Sequence, residues 1–315
     1  MKARSLLYFL LLLPVAAVQA QPEIRVTFLG TNGPMPEPGR VGTSTLVEAG
    51  GQLLLFDAGL NVTQQLVETG VNLPRVDRVF LTHFHSDHVA GLPGLWSTTW
   101  LRRRSTPLYL HGPVGVDAIA RGIHAFFAKD IPVRINGPEA LPPGGQEIEV
   151  VETAQQGVVY QQEGVVVTAF EVDHGADVGT AYGYRIDYGG MSVVLSGDTT
   201  YSENLVAHSM GVDLLVHEVM GVTDAMLEAG LYRSGVLEVH ATPEQAGQVF
   251  AETQPRLAAF THIILARRPG FETMTPAQLL QRTASHYEGE VLYPQALDEV
   301  IIRPDAIMVP GANLQ

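Results

Sequence analysis

Apolar residues fall in short runs along this chain, separated by polar and Gly-rich punctuation at intervals that suit strands alternating with modest helices. Runs at 24–29, 45–47, 53–56 and 79–81 predict strands. The segment 62–69 predicts a helix, with Val62, Leu66 and Val67 on one face. A helix around 92–103, a strand at 108–110 and a helix from about 114 to 127 follow. Strands dominate again at 147–151, 165–172, 181–186 and 192–195, before strand 214–216, helix 243–253, strand 258–260 and helix 276–286. The loop 30–39 is too rich in Gly and Pro for regular structure and is expected over an active-site edge; the Pro/Gly stretch 136–145 is the strongest internal boundary. Two halves of similar plan predict an α+β fold, two mixed sheets packed face to face with helices outside. No repeat or low-complexity tract divides residues 21–315, which read as a single domain.

Residues 1–20 follow a different pattern. Lys2 and Arg4 precede the apolar run from Leu6 to Leu13, and Val18-Gln19-Ala20 fits a small-residue cleavage site, the plan of a signal peptide cut near Ala20. Its core falls short of the roughly 20 residues of a comfortable membrane span, which counts against the alternative of a retained anchor. Export to a periplasm or beyond is therefore expected, with no stable membrane span after cleavage. The chain has no cysteine, so stability must come from burial.

The densest chemistry follows the apolar run 79–81. His83-Phe84-His85-Ser86-Asp87-His88 places three imidazoles and a carboxylate within six residues. Such groups resist burial together unless a cation neutralises and orders them. Imidazole and carboxylate without thiolate suit Zn²⁺ in a catalytic site, with Mn²⁺ or Fe as the less favoured occupants. One cluster does not complete a site, and three later strand ends supply further candidates: His174 after 165–172, Asp198 after 193–195 and His262 after 258–260. Taken singly, each suits a capping or hydrogen-bonding residue as well.

In this order, His83-x-His85-x-Asp87-His88, His174, Ser196-Gly197-Asp198-Thr199 and Thr261-His262 resemble the successive signature motifs of the metallo-β-lactamase superfamily, over essentially the whole of residues 21–315. The resemblance implies an αββα sandwich and two Zn²⁺, one held by His83, His85 and His174, the other by Asp87, His88 and His262, with Asp198 bridging. Leu214-Leu215-Val216-His217-Glu218 and His240-Ala241-Thr242 are similar to the two further histidine motifs of the ribonuclease Z and arylsulfatase-like branch, although Val219-Met220 stands where Ala-Thr is usual. By that pattern Glu218 orients His240, which protonates a leaving oxygen, while Asp87 both ligates and orients a hydroxide. His217 reads as a buried strand-end imidazole, and His111, His124, His208 and His286 as structural.

Charge bears on the substrate. Nineteen Lys and Arg against 33 Asp and Glu give −14, and loss of Lys2 and Arg4 with the leader takes this to −16. An acidic body repels polyanions at long range. Only residues 175–197 separate His174 from Asp198, where short bacterial ribonuclease Z proteins carry a tRNA-gripping arm. Export, charge and the missing arm together predict a small anionic phosphodiester or sulfate ester as substrate and argue against nucleic acid. The alternatives are a tRNA 3′-endonuclease, a β-lactamase, or an inactive metal- or partner-binding protein. Arg102 to Arg104, Arg185, Arg267 and Arg268 are either solvated surface or an anion-attracting rim. Trp96 and Trp100 share a helical face that serves either a homodimer contact or the protomer's own core.

Overall fold

A computed structural model describes residues 21–232 and 235–311, so the expected leader at 1–20 lies outside the described residues. Six strands, β1 (Ile24–Gly30), β2 (Ser44–Ala49), β3 (Gln52–Phe56), β4 (Arg78–Phe80), β5 (Leu108–Pro113) and β6 (Ile148–Thr153), lie side by side in chain order in one sheet. Seven more build the second sheet, again in chain order: β7 (Gly157–Gln162), β8 (Val165–Val172), β9 (Ala181–Tyr188), β10 (Met191–Leu195), β11 (Leu214–Gly221), β12 (Leu257–Leu265) and β13 (Val291–Leu292). Each sheet begins antiparallel, across short turns such as Gly50-Gly51 and Gly189-Gly190, and continues parallel from β3 and from β10, where helices make the crossovers. The chain then returns: β14 (Glu299–Ile302) pairs antiparallel with β1, and β15 (Ile307–Met308) extends that edge.

The central strands are buried on both faces, and their alternation sorts side chains into layers. Leu54 and Phe56 of β3 enter the core between the sheets, with Val193 and Leu195 of β10 and Leu214 and Val216 of β11. Their neighbours Leu53 and Leu55 face the helices over the first sheet, and Val194 and Leu215 those over the second. The predicted α+β sandwich is therefore the observed one. The expected boundary moves: the Pro/Gly stretch 136–145 leads into β6 of the first sheet, and the chain changes sheets only after Thr153. Nor are the halves self-contained, because β14 and β15 cross back.

The structure decides between the alternatives left open for the tryptophans and for the arginines at 102–104 and 185. Trp96 and Trp100 on helix Leu92–Leu101 are buried in the protomer's own core, and their Nε1–H groups donate to Gln146 O (3.1 Å) and Pro142 O (2.9 Å), so they offer no dimer contact. Arg104 is buried too: it donates to Thr99 Oγ1 (3.1 Å) and Thr106 O, and burial pulls its guanidinium down to about 10, still charged near neutrality. Arg102 caps the far end of the same helix, about 15 Å from the end that leaves the histidine cluster. The arginine triplet is thus an anchor and a helix end, not a substrate rim. Arg185, paired with Asp187 and donating to His208 O (2.8 Å), is likewise structural.

His111 on β5 stacks on Phe80 with ring centroids 4.3 Å apart, and neither ring nitrogen has a hydrogen-bond partner among the described residues. Burial, helped by the charge of Arg78, pushes this imidazole from 6.5 down to about 4. The unfolded chain therefore binds this proton more readily than the folded one. Stability contributed by neutral His111 is complete above pH 6.5, declines as pH falls from 6.5 to 4, and is lost below, by an amount on the order of 3 kcal/mol. Urea unfolding of His111→Phe between pH 7 and 4 should show a shallower loss than the parent chain. An identical slope would contradict the assignment.

Candidate metal centre

The residues singled out at strand ends meet at one edge of the sandwich. His83, His85, His174 and Asp198 form one group whose candidate donor atoms lie within 4.8 Å of one another; Asp87, His88 and His262 form a second. His85 Nδ1 lies 3.0 Å from His83 Nε2 and 3.2 Å from His174 Nε2. Asp198 Oδ2 stands between the groups, 3.3 Å from Nε2 of both His88 and His262 and 3.8 to 3.9 Å from those of His174 and His83. His262 Nε2 is 2.9 Å from Asp87 Oδ2. Both sheets contribute: the turn after β4 carries His83 to His88, while the ends of β8 and β10 and the body of β12 supply His174, Asp198 and His262.

Local backbone geometry aims these groups. β11 and β12 slip register between Glu218 and Val219, and His262 is the extra residue, at φ 41°, a bulge that turns its ring toward the edge. Gly197 sits at φ 62°, where an added Cβ would lie 2.5 Å from Tyr182 O, so the turn before Asp198 requires glycine. Loop 30–39 lies over the site as expected: Ile263 N donates to Thr31 O (2.7 Å), and Gly33 packs on Ile264 beside the His262 ring.

The hydrogen bonds fix which ring nitrogens are free. Asp57 Oδ2 accepts from His88 Nδ1 (2.8 Å) and from Thr82 Oγ1 (2.9 Å), whose oxygen lies 3.0 Å from His83 Nδ1. His174 Nδ1 donates to Val239 O (2.8 Å). With protons on these Nδ1 atoms, the Nε2 atoms of His83, His88 and His174 are left as lone pairs facing the site. Lone pairs cannot crowd the same space without a proton or a cation between them. Asp198 Oδ1 and His88 Nε2, both buried, have no hydrogen-bond partner among the described residues.

The titration tendencies express the same conflict. Burial, then the neighbouring His88, holds His83 well below the usual imidazole range, and burial lowers His174. Burial also opposes charge on His88, but Asp198 and Asp57 outweigh it and drive that imidazole well above 6.5. For Asp198 burial works against ionisation, and the surrounding imidazoles, His262 and His88 foremost, overcome it and hold the carboxyl well below its usual range. Five imidazoles and two carboxylates, oxygen and nitrogen donors with no thiolate, suit a divalent metal ion, typically zinc.

Sequence reasoning missed Asp57 and Thr82. Asp57 takes φ 56° directly after β3 and binds Thr82 N (2.9 Å) through Oδ1 while orienting His88 through Oδ2. The signal was present, a lone Asp closing an apolar strand before Ala58-Gly59, but it has no metal-ligand spacing. Asp57→Ala should weaken metal retention by about 10- to 100-fold in chelator competition, since outer partners hold the ligand ring in place. Unchanged retention would refute that role.

Beside the cluster, His240 Nδ1 donates to Glu218 Oε1 (3.0 Å), which also accepts from Ala241 N (3.1 Å) and Thr199 N (3.2 Å). The His240 ring stacks on that of His262, centroids 5.5 Å apart. Burial disfavours its charge, but Glu218 and then Asp198 more than compensate and raise it to about 9; a cation held by Asp198 would lower that value. Thr242 opens helix Pro243–Thr253 with a capping box to Gln245, which fixes the turn carrying His240. His217 is buried on the other side of β11 against Phe250, away from the cluster. Arg40 donates to Thr31 O and Ile263 O (both 3.3 Å), Arg267 pairs with Glu37 of loop 30–39 (2.8 Å), and Arg268 lies over the Tyr232 ring. A cleft of about 240 Å³ lined by Asn32, Arg40, Asn61 and Ser86 adjoins Asp87.

Comparison with known proteins agrees with this geometry. A family model described as a beta-lactamase superfamily domain matches residues 53–263. Ribonuclease Z of Mycobacterium sp. (strain KMS) is 31% identical over 291 residues, covering 91% of this chain and 99% of that protein. Ribonuclease Z of Mycolicibacterium gilvum is 34% identical over 294 residues, with the same coverage. Among solved structures, a metallo-beta-lactamase fold protein from Bacillus subtilis superposes with a TM-score of 0.70 at 19% identity, and human tRNase Z, short form, with 0.64 at 22%; each covers 90% of this chain and 100% of its own, and at these identities they speak to fold alone.

These relatives overturn the expected substrate. The expectation of a small phosphodiester or sulfate ester, with nucleic acid unlikely, rests on export, net charge and the short interval 175–197. That interval does hold only a short turn, β9 and β10. Yet proteins named Ribonuclease Z align with this chain over nearly their whole length. The physical error lies in reading an average: a net −14 describes the whole chain, whereas a polyanion's contact is decided by the few groups at the mouth, here Arg40 in the cleft and the candidate cation-binding cluster beside it. The sandwich, the motifs it gathers at one edge and the full-length relatives agree: this chain is a metal-dependent hydrolase of the metallo-β-lactamase superfamily and belongs to its ribonuclease Z branch.

Proposed function

We propose that this protein is a ribonuclease Z-type endonuclease, a phosphodiesterase that cuts precursor tRNA at its 3′ end. The observation that carries the reading is the Glu218–His240 pair set against the metal-ligand cluster, a proton donor beside a Lewis-acid site. In this reading His83, His85 and His174 hold one Zn²⁺, Asp87, His88 and His262 a second, and Asp198 lies between them. Metal held there would supply a nucleophile from water near neutral pH and stabilise charge on the phosphoryl oxygens.

The chain's own residues do the rest. Asp57 and Thr82 keep His88 and His83 in the tautomers that present Nε2. Asp87, partly exposed beside the cleft, accepts a hydrogen bond from the attacking water and aligns it. Glu218 holds the Nδ1 proton of His240, so the other ring nitrogen delivers its proton to the departing ribose oxygen, a leaving group too basic to be expelled unaided. Arg40, in the cleft beside Asp87, is the guanidinium placed to meet the phosphodiester backbone in an otherwise acidic chain.

The deciding experiment incubates zinc-loaded protein with end-labelled precursor tRNA, and with p-nitrophenyl sulfate and a chromogenic cephalosporin as controls. One cut at the junction of acceptor stem and 3′ trailer is the expected product. Intact precursor alongside turnover of either control would overturn the reading.

A further inference from the structure

We propose that His217 is a positioning residue for the Glu218–His240 pair, acting through the backbone of Glu218. This rests on the reading of His240 as the proton donor. Residues alternate along β11: Val216 enters the core between the sheets, while Leu215 and Val219 face the helical layer. His217 therefore points away from the catalytic edge, and its ring meets Phe250 of helix Pro243–Thr253 edge-on at 5.9 Å. It touches no substrate. Its Nδ1 nevertheless donates to the carbonyl oxygen of Glu218 at 2.6 Å, while Nε2 has no hydrogen-bond partner among the described residues.

The need for that donor comes from where β11 outruns its neighbour. β10 pairs with β11 only as far as Leu195↔Val216, so Glu218 lies beyond the end of that ladder. A buried carbonyl there needs a donor from elsewhere. The amide of Glu218 is also held by a side chain, donating to Ser196 Oγ at 3.0 Å. With both backbone groups pinned, the carboxylate arrives where Thr199 N, His240 Nδ1 and Ala241 N converge on Oε1. Where β11 runs past β10, Ser196 and His217 hold the backbone that carries Glu218.

The test compares zinc-loaded His217→Phe, which keeps ring packing but removes the donor, with His217→Asn, whose amide nitrogen sits where Nδ1 was. His217→Gln carries its amide at the Nε2 position and should behave like Phe, so it decides the matter if Phe does not fold. Two readouts are taken: kcat and KM on a series of methyl aryl phosphodiesters of rising leaving-group basicity, and hydrogen exchange at the Thr199 and Ala241 amides. A misplaced proton donor should cost about tenfold in kcat for the most basic leaving group and little for p-nitrophenolate, with KM unchanged. Both amides should exchange several-fold faster in Phe and Gln, and Asn should restore both readouts. Unchanged exchange, or an equal loss across all leaving groups, would overturn the proposal. If His240→Ala itself shows no leaving-group dependence, the proton-donor reading fails instead, and the exchange data still judge His217.

Discussion

Asp198→Ala should lose metal and turnover together. Its Oδ2 is the one carboxylate oxygen within 4 Å of Nε2 of His83, His88, His174 and His262, so it links both ligand groups. Removing it leaves the buried imidazoles of His83 and His174 with no carboxylate within 4 Å among the described residues, while Asp57 and Asp87 stay beside His88 and His262. The cost of breaking such a buried set is about 3–5 kcal/mol, to be met by loss of cation, local rearrangement or both. Metal content should fall to one equivalent or fewer, and RNA cleavage by roughly a thousandfold or more, as expected when the group generating the nucleophile is lost. Elemental analysis after gel filtration and single-turnover cleavage check this. Full metal content with full turnover would contradict it.

His240→Ala should separate chemistry from metal binding. Precursor cleavage is expected to fall by about 10²- to 10⁴-fold, with metal content retained. The pH profile carries the sign. A proton donor works only when protonated, so activity of the parent chain declines as pH rises through the His240 pKa, and Glu218 is the group that lifts that limb. His240→Ala should lack the alkaline limb, and Glu218→Gln should move it to lower pH. Cleavage of bis(p-nitrophenyl) phosphate, whose leaving group needs no proton, should be much less affected by either change. Equal losses on both substrates would argue that His240 holds metal or structure instead.

The candidate ligand cluster was legible in the sequence because its members stand at the ends of apolar runs, which the sheets bring to one edge, His262 from within the longer β12. His83 to His88 announced the site, and His174, Asp198 and His262 could be attached by their place in the strand order. Asp57 was not found, because an orienting residue has no distinctive spacing and its role exists only once β3 and β4 lie side by side. The return of β14 to β1 was equally hidden, since a four-residue strand has no periodicity that names its partner. Arg104 and the two tryptophans show the opposite failure. Their residue types suggested surface functions, and the packing of helix Leu92–Leu101 against the first sheet placed them inside. Substrate was misjudged from the leader, whole-chain charge and the short interval 175–197, none of which describes the groups that line the cleft.

The most direct test strips the protein with chelator and titrates zinc back while following both bound metal and precursor tRNA cleavage. The account predicts two tightly bound equivalents, with cleavage at the 3′ trailer junction restored as the second binds. It would be contradicted by protein that binds no zinc with its fold intact, or that cleaves equally well with and without it.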